Sequence, residues 1–191
     1  MRKEKETRRG QSSEDILLGL QASPWGSLKS QSTYREQTMR QESKENVFEQ
    51  LKIDEGVEYE IYLDHLGLPT FGVGHLVTEQ DEEYGKEVGT PVSEQRVKEL
   101  FEKDLETAIY DCKKIYGEST WELDFPDEVQ EILVNMAFNL GRPRLSQFKN
   151  FTKALEEENW AKAAVEGRDS RWHKQVYNRA ERLMVRMENV D

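Results

Sequence analysis

Residues 51–75 read LKIDEGVEYEIYLDHLGLPTFGVGH, and the fold turns on this stretch. It opens inside an amphipathic helix, because Val47, Phe48 and Leu51 fall on one helical face and Gly56 stands where such a helix ends. Ser43 is placed to cap that helix. Alternating residues over 59–63, a Gly67-Leu68-Pro69 turn and a second run over 70–75 then predict a small antiparallel sheet. Glu55, Asp64 and Thr70 form a Glu-x8-Asp-x5-Thr array within it. Glu55 sits in the last helical turn, where the macrodipole disfavours a negative charge. A glutamate kept there needs a cation beside it or stays protonated. Asp64 closes one strand and Thr70 opens the next, so both can face the groove that Glu55 borders. Gly72 and Gly74 let the backbone come close to whatever occupies that groove. Two carboxylates in contrasting surroundings can divide into an acid and a base, the requirement of glycoside hydrolysis.

Helices dominate the remainder. Ser93 begins a long one, with Val97, Leu100, Phe101, Leu105, Ala108, Ile109 and Cys112 on one stripe. Pro126 suits the first turn of another. That helix is apolar nearly all round through Val129, Ile132, Leu133, Met136, Ala137 and Leu140, and so belongs in the centre of the core. It stops at Gly141. Shorter helices are expected over 148–155, 160–165 and 176–187. A small sheet followed by a run of helices predicts an α+β fold, a sheet lobe and a mainly helical lobe with a cleft between them.

The chain of 191 residues allows one ordinary domain plus a tail. Residues 1–42 read as a disordered N-terminal extension rich in charged and polar side chains, with one short apolar patch over 17–25. The folded domain spans 43–191. Glu14-Asp15 directly precedes the apolar run at 16–20, which is too short for a standard signal peptide. Native location is therefore left open, with an intracellular site or a non-classical or lysis-dependent release as the expectation. No apolar run approaches the roughly 18 residues of a membrane span, so a soluble protein is expected.

Net charge is −11, unevenly spread. Residues 47–191 carry 18 basic and 31 acidic side chains. So acidic a domain is a poor binder of nucleic acid, whose affinity comes from neutralised phosphates. It is also repelled by anionic surfaces unless salt screens the repulsion. Cys112 is the single cysteine, so no disulfide framework exists, and its place on a helix stripe reads as a buried thiol. His65, His75 and His173 lack metal-ligand spacing, and neither metal nor cofactor is expected. His65 and His173 read as exposed, Trp160 and Trp172 as core aromatics.

Three blocks then carry a resemblance. Ile-Asp-Glu-Gly at 53–56, Tyr-x-Asp at 62–64 and Thr-x-Gly-x-Gly-His at 70–75 form the first. Asn-Met-Ala-Phe-Asn-Leu-Gly at 135–141 is the second. Ser-Arg-Trp at 170–172, Gln175 and Asn-Arg-Ala-x-Arg at 178–182 form the third. In this order they resemble the phage-type lysozymes, the muramidase family that includes the lysozyme of T-even bacteriophages, over about residues 46–187. The resemblance implies Glu55 as general acid, with Asp64 and Thr70 holding and activating a water or Asp64 steadying the transition state. It implies Arg179 as the cation paired with Glu55, His75 and Asp104 as a structural ion pair, and Leu76 and Phe138 as substrate-binding positions. The implied substrate is bacterial peptidoglycan, cut at the β-1,4 bond between N-acetylmuramic acid and N-acetylglucosamine by an enzyme expected to be a monomer and to invert. Host lysis, wall penetration and antibacterial defence all fit that activity. Phe151 and Glu166 depart from the small or amide residues of the T-even phage enzyme, and this domain is acidic where that enzyme is basic. The competing readings are a catalytically weak or inactive saccharide-binding protein on the same scaffold, a chitin hydrolase, and an interaction protein working through its tail.

Overall fold

A computed structural model describes residues 39–191; the 17–25 patch and most of the expected extension lie outside the described residues. The chain is α+β, with a three-stranded antiparallel sheet and a mainly helical remainder. Helix α1 (Gln41–Glu55) starts three residues earlier than the Ser43 cap would place it. Ser43 is instead buried inside the helix, and the N-terminal residue Arg40 makes no side-chain cap. Gly56 ends α1 at φ 77°, a conformation open to a residue without Cβ, and its N–H reaches the Lys52 carbonyl.

Strands β1 (Glu58–Leu63), β2 (Pro69–Gly72) and β3 (His75–Leu76) follow. The alternation over 70–75 reads as one strand, but Gly72 and Gly74 both adopt positive φ and fold it into two. A side chain at Gly72 would also crowd Val97, at 3.1 Å. The register sets Tyr62 opposite Thr70 and Thr70 opposite Leu76. Directly paired residues share a sheet face, so Tyr62, Thr70 and Leu76 line one side. Phe71 pairs with His75 on the other, the two rings meeting edge-on at 5.3 Å.

The helices are α2 (Glu94–Tyr116), α3 (Glu118–Leu123), α4 (Asp127–Leu140), α5 (Arg142–Leu145), α6 (Lys149–Glu156), α7 (Trp160–Arg168), α8 (Arg171–Gln175) and α9 (Tyr177–Glu188). Ser93 caps α2 by accepting the Arg96 N–H. Helix α4 is buried along Val129–Ala137 and runs through the helical core. The buried apolar side chains fall into two groups. Ile61, Phe71, Val92, Val97 and Leu100 form a small core under the sheet. The larger core takes Phe101, Leu105, Ile109 and Cys112 from the same α2 and packs them against α1, α4, α7 and α9. One helix thus contributes to both cores, changing allegiance between Leu100 and Phe101. Among the described residues no helix is long and apolar enough to cross a membrane.

Candidate active site

Glu55 is the last residue of α1. Its side chain is 31% exposed, and the Arg179 guanidinium on α9 donates to its Oε1. Arg179 is itself buried, and its other donors are committed to α4: Nε reaches Asn135 Oδ1 at 2.8 Å and Nη2 reaches the Asn135 carbonyl at 3.0 Å. The preceding residue, Asp54, points inward, its side chain only 3% exposed. It lies 3.5 Å from Arg179 Nε, accepts from Asn135 Nδ2 at 3.2 Å and pairs with Arg182. The Asn135 amide is therefore oriented by its two neighbours, its oxygen toward the guanidinium and its nitrogen toward the carboxylate. Two carboxylates from α1 and two arginines one helical turn apart on α9 interlock around it.

Asp64 follows β1 in a different environment, partly shielded and held by backbone N–H groups rather than by a cation. Its Oδ1 accepts the backbone N–H groups of Leu66 and Leu68, both at 2.8 Å. The Leu68 bond, helped by that of Leu66 and by His65, outweighs desolvation and holds the carboxyl below its ordinary range. Asp64 is accordingly ionised at neutral pH. Thr70 is buried and spends its hydroxyl proton on the Leu68 carbonyl at 3.0 Å. One turn thus fixes both residues. No hydrogen bond joins Glu55 to Asp64 or Thr70 among the described residues. Burial raises the pKa of the Tyr62 hydroxyl, and the charges of Glu58, Asp64 and Glu55 raise it further. Both carboxylates therefore act on the same phenol. Leu76, paired with Thr70, is 45% exposed, whereas Phe138 is half-buried on α4 with its ring 5.9 Å from that of Phe101.

His75 bridges two acids rather than one. Nδ1 meets Asp104 of α2 at 2.7 Å, and Nε2 meets Asp81 at 3.2 Å. Burial lowers the imidazole pKa, but the bonds and charges of Asp104 and Asp81 overcome it and leave it raised. Asp81 also accepts the N–H and hydroxyl of Thr78, and despite its burial its carboxyl is held low. His173 is buried, contrary to the exposed position expected for it, because Tyr177 and Glu181 of α9 close over it, the latter at 2.8 Å. His65 is exposed, and Trp172 is buried with its N–H on Asn139. Beside Trp172 lies a depression of about 700 Å³ whose lining includes Phe151, Glu166, Arg144 and Lys149 but neither Glu55 nor Asp64. Sequence reading placed Asp54, Asn135 and Arg182 within motif blocks but assigned them no role, and it passed over Asp81. The available signals were the adjacent acids ending α1 and the arginines three residues apart on α9.

The chain belongs to the Phage lysozyme family, a family of glycoside hydrolases, whose model matches residues 52–189 and so takes in the short sheet with Asp64 and Thr70 and the helix-terminal glutamate clasped by an arginine. Among its relatives is a protein called probable T4-type lysozyme 2 of Dictyostelium discoideum, 33% identical over 70% of this chain and 88% of its own length. Probable T4-type lysozyme 1 of the same organism is 30% identical over 73% of this chain and 91% of its own. The pre-baseplate central spike protein Gp5 of Enterobacteria phage T4 is 31% identical over 72% of this chain, which corresponds to 26% of that longer protein.

Proposed function

We propose that this chain is an endo-acting muramidase that hydrolyses the β-1,4 bond between N-acetylmuramic acid and N-acetylglucosamine in peptidoglycan, with inversion. The observation that carries the reading is the contrast between the two carboxylates. Asp64 is partly shielded and tied ionised by backbone N–H groups, whereas Glu55 stands at a helix C-terminus with the Arg179 guanidinium on its Oε1. Glu55 protonates the glycosidic oxygen as the bond breaks. Asp64 Oδ2 takes no hydrogen bond among the described residues, and the Thr70 hydroxyl, its proton already donated, offers lone pairs. Both can therefore accept the hydrogens of one water, which leaves that water's lone pair to attack the anomeric carbon from the face opposite the leaving group. Asp64 also stabilises the positive charge that develops on the sugar ring.

Leu76 and Phe138 would offer apolar contact to sugar faces, and the depression beside Trp172 would extend the contact along the strand. Bacteriolysis, whether in defence or in wall penetration, is the biological role this activity supports. The test is muropeptide release from purified peptidoglycan by the protein and by Glu55→Gln. The variant is expected to fall about 10²–10⁴-fold in kcat while keeping its unfolding temperature, and the first sugar released should be the α-anomer. Equal turnover by both proteins would defeat the assignment of the acid, and a β-anomer would defeat inversion.

A further inference from the structure

The basic side chains of this acidic domain are of two kinds. Arg96, Lys113, Arg168 and Arg186 are spent on carboxylates within the fold. Lys114, Lys149 and Lys153 enter no ion pair among the described residues, yet all three line one groove of about 410 Å³ between α2 and α6. Ser146, Thr152 and a single acid, Glu156, complete its polar lining. The groove between α1 and α2 is a contrast, because its Lys44, Lys98 and Lys103 share the lining with Glu45, Glu102 and Glu106. Charge is balanced there, and at α6 it is not.

The three lysines stand where they repel one another. Lys149 opens α6, the helix end at which the macrodipole disfavours a cation. Lys153 follows four residues on, so two like charges occupy neighbouring places on one helical face. Lys114 joins them from the last turn of α2, its Nζ 5.0 Å from the centroid of the Tyr110 ring. Glu156 closes the far end of the α6 face and pairs with neither lysine of that helix among the described residues. An anion in the groove relieves these repulsions together. Lysine binds phosphate as a point charge that can approach any face of the tetrahedron, whereas a planar carboxylate is met best by the arginine fork. This groove has lysines and no arginine in its lining. The Thr152 hydroxyl adds a donor, while that of Ser146 is spent on the Pro143 carbonyl at 3.2 Å.

We propose that the groove between α2 and α6 is a phosphate-binding site, and that its occupant is a phosphodiester polymer carried on the peptidoglycan strand. The choice of occupant rests on peptidoglycan as the substrate. Lys149 also lines the depression beside Trp172, together with Arg144 and Arg171, so the groove continues the surface along which the strand is placed. Phosphates repeated along a polymer can then meet successive cations of one stripe. The net negative charge of the domain does not prevent this. At physiological ionic strength the screening length is about 8 Å, so a phosphate in the groove feels the three lysines beside it rather than carboxylates on remote faces. The contact tethers the protein to the wall outside the catalytic cleft.

The experiment is co-sedimentation of the full chain, in the cold and at physiological salt, with purified walls bearing a polyol-phosphate polymer and with the same walls stripped of it by hydrofluoric acid. The double variant Lys114→Gln/Lys153→Gln is run beside it with its unfolding temperature recorded; both lysines are exposed and neither lines the depression beside Trp172. The full chain should hold the polymer-bearing walls about tenfold more tightly than the stripped ones. The double variant should lose most of that difference and bind stripped walls as the full chain does. Equal binding of both walls by the full chain, or a preference retained by the variant, overturns the proposal. Should the double variant melt early, Lys153→Gln decides alone, a weakened preference supporting the site and an unchanged one overturning it. Soluble polyol-phosphate oligomers should displace the full chain better than polyglutamate or oligothymidylate of equal charge. Equal displacement by polyglutamate overturns the phosphate assignment, and stronger displacement by oligothymidylate overturns the wall polymer as occupant. Muropeptide release from stripped walls reads the muramidase assignment separately: release without a wall preference overturns the groove alone, and a preference without release overturns only the muramidase.

Discussion

His75→Asn is expected to destabilise the protein by an amount that depends on pH in a definite direction. The imidazole is held between Asp104 at 2.7 Å and Asp81 at 3.2 Å, with its side chain 11% exposed. Removing one partner of a buried ion pair costs about 3–5 kcal/mol. Asparagine keeps a donor near the position of Nδ1 and recovers about 1 kcal/mol of that. Thr78 continues to satisfy Asp81 through two bonds. The net expectation near pH 5.5 is a loss of about 2–4 kcal/mol. In a domain of this size it lowers the unfolding temperature by roughly 4–16 °C.

The sign of the pH dependence follows from the directions of the shifts. The folded pKa of His75 is raised, so its contribution is complete below the unfolded value near 6.5 and is lost as pH rises through the folded value. Asp81 is shifted down, so its contribution is present above the unfolded value of 3.8 and is lost as pH falls through the folded one. The pair is therefore worth most between these two unfolded values. Urea unfolding of wild type and His75→Asn at pH 5.5 and pH 9, at constant ionic strength, measures it. The difference between the proteins should shrink markedly at the higher pH. A difference equal at both pH values would refute the electrostatic account and leave only the edge contact with Phe71.

Two further outcomes are expected. Clearing of intact anionic walls should rise with added salt before it falls, because residues 47–191 carry 31 acidic side chains against 18 basic ones and screening relieves their repulsion; a steady decline measured from low salt upward would contradict this. Gly167→Ala should destabilise the helical lobe by about 1–3 kcal/mol, since a Cβ there would meet Sδ of the fully buried Met184 at 2.1 Å, and a thermal melt matching wild type would show that the α7–α9 contact yields without cost.

The sequence makes the long elements plain and the short ones obscure for a physical reason. Helices α2 and α4 repeat their apolar spacing over several turns, so the stripe that reads as core is the stripe that packs. Helices α3, α5 and α8 span six, four and five residues, too few to display a period, and tertiary packing decides them. The split between β2 and β3 escapes because two glycines at alternate positions mimic strand alternation while bending the chain. His173 reads as exposed, but α9 covers it through Tyr177 and Glu181. At the site, the motif residues Glu55, Asp64 and Thr70 stand out by their spacing. Asp54 does not, because its partners lie 81 and 128 residues away along the chain and nothing in its own neighbourhood marks the side chain as buried.

The division of α2 between two apolar groups bears on how this molecule would fail. Among the described residues five buried side chains, with Val57 and Val77 packed against them, form the core under the sheet, one strand of which is two residues long. Glu55 and Arg179 belong to the larger helical body, while Asp64 and Thr70 ride on the smaller unit. A partial opening confined to that unit would carry off Asp64 and Thr70, the proposed water-holding residues, and leave the proposed acid in place. Inactivation by heat or urea should accordingly run ahead of the loss of helical circular dichroism.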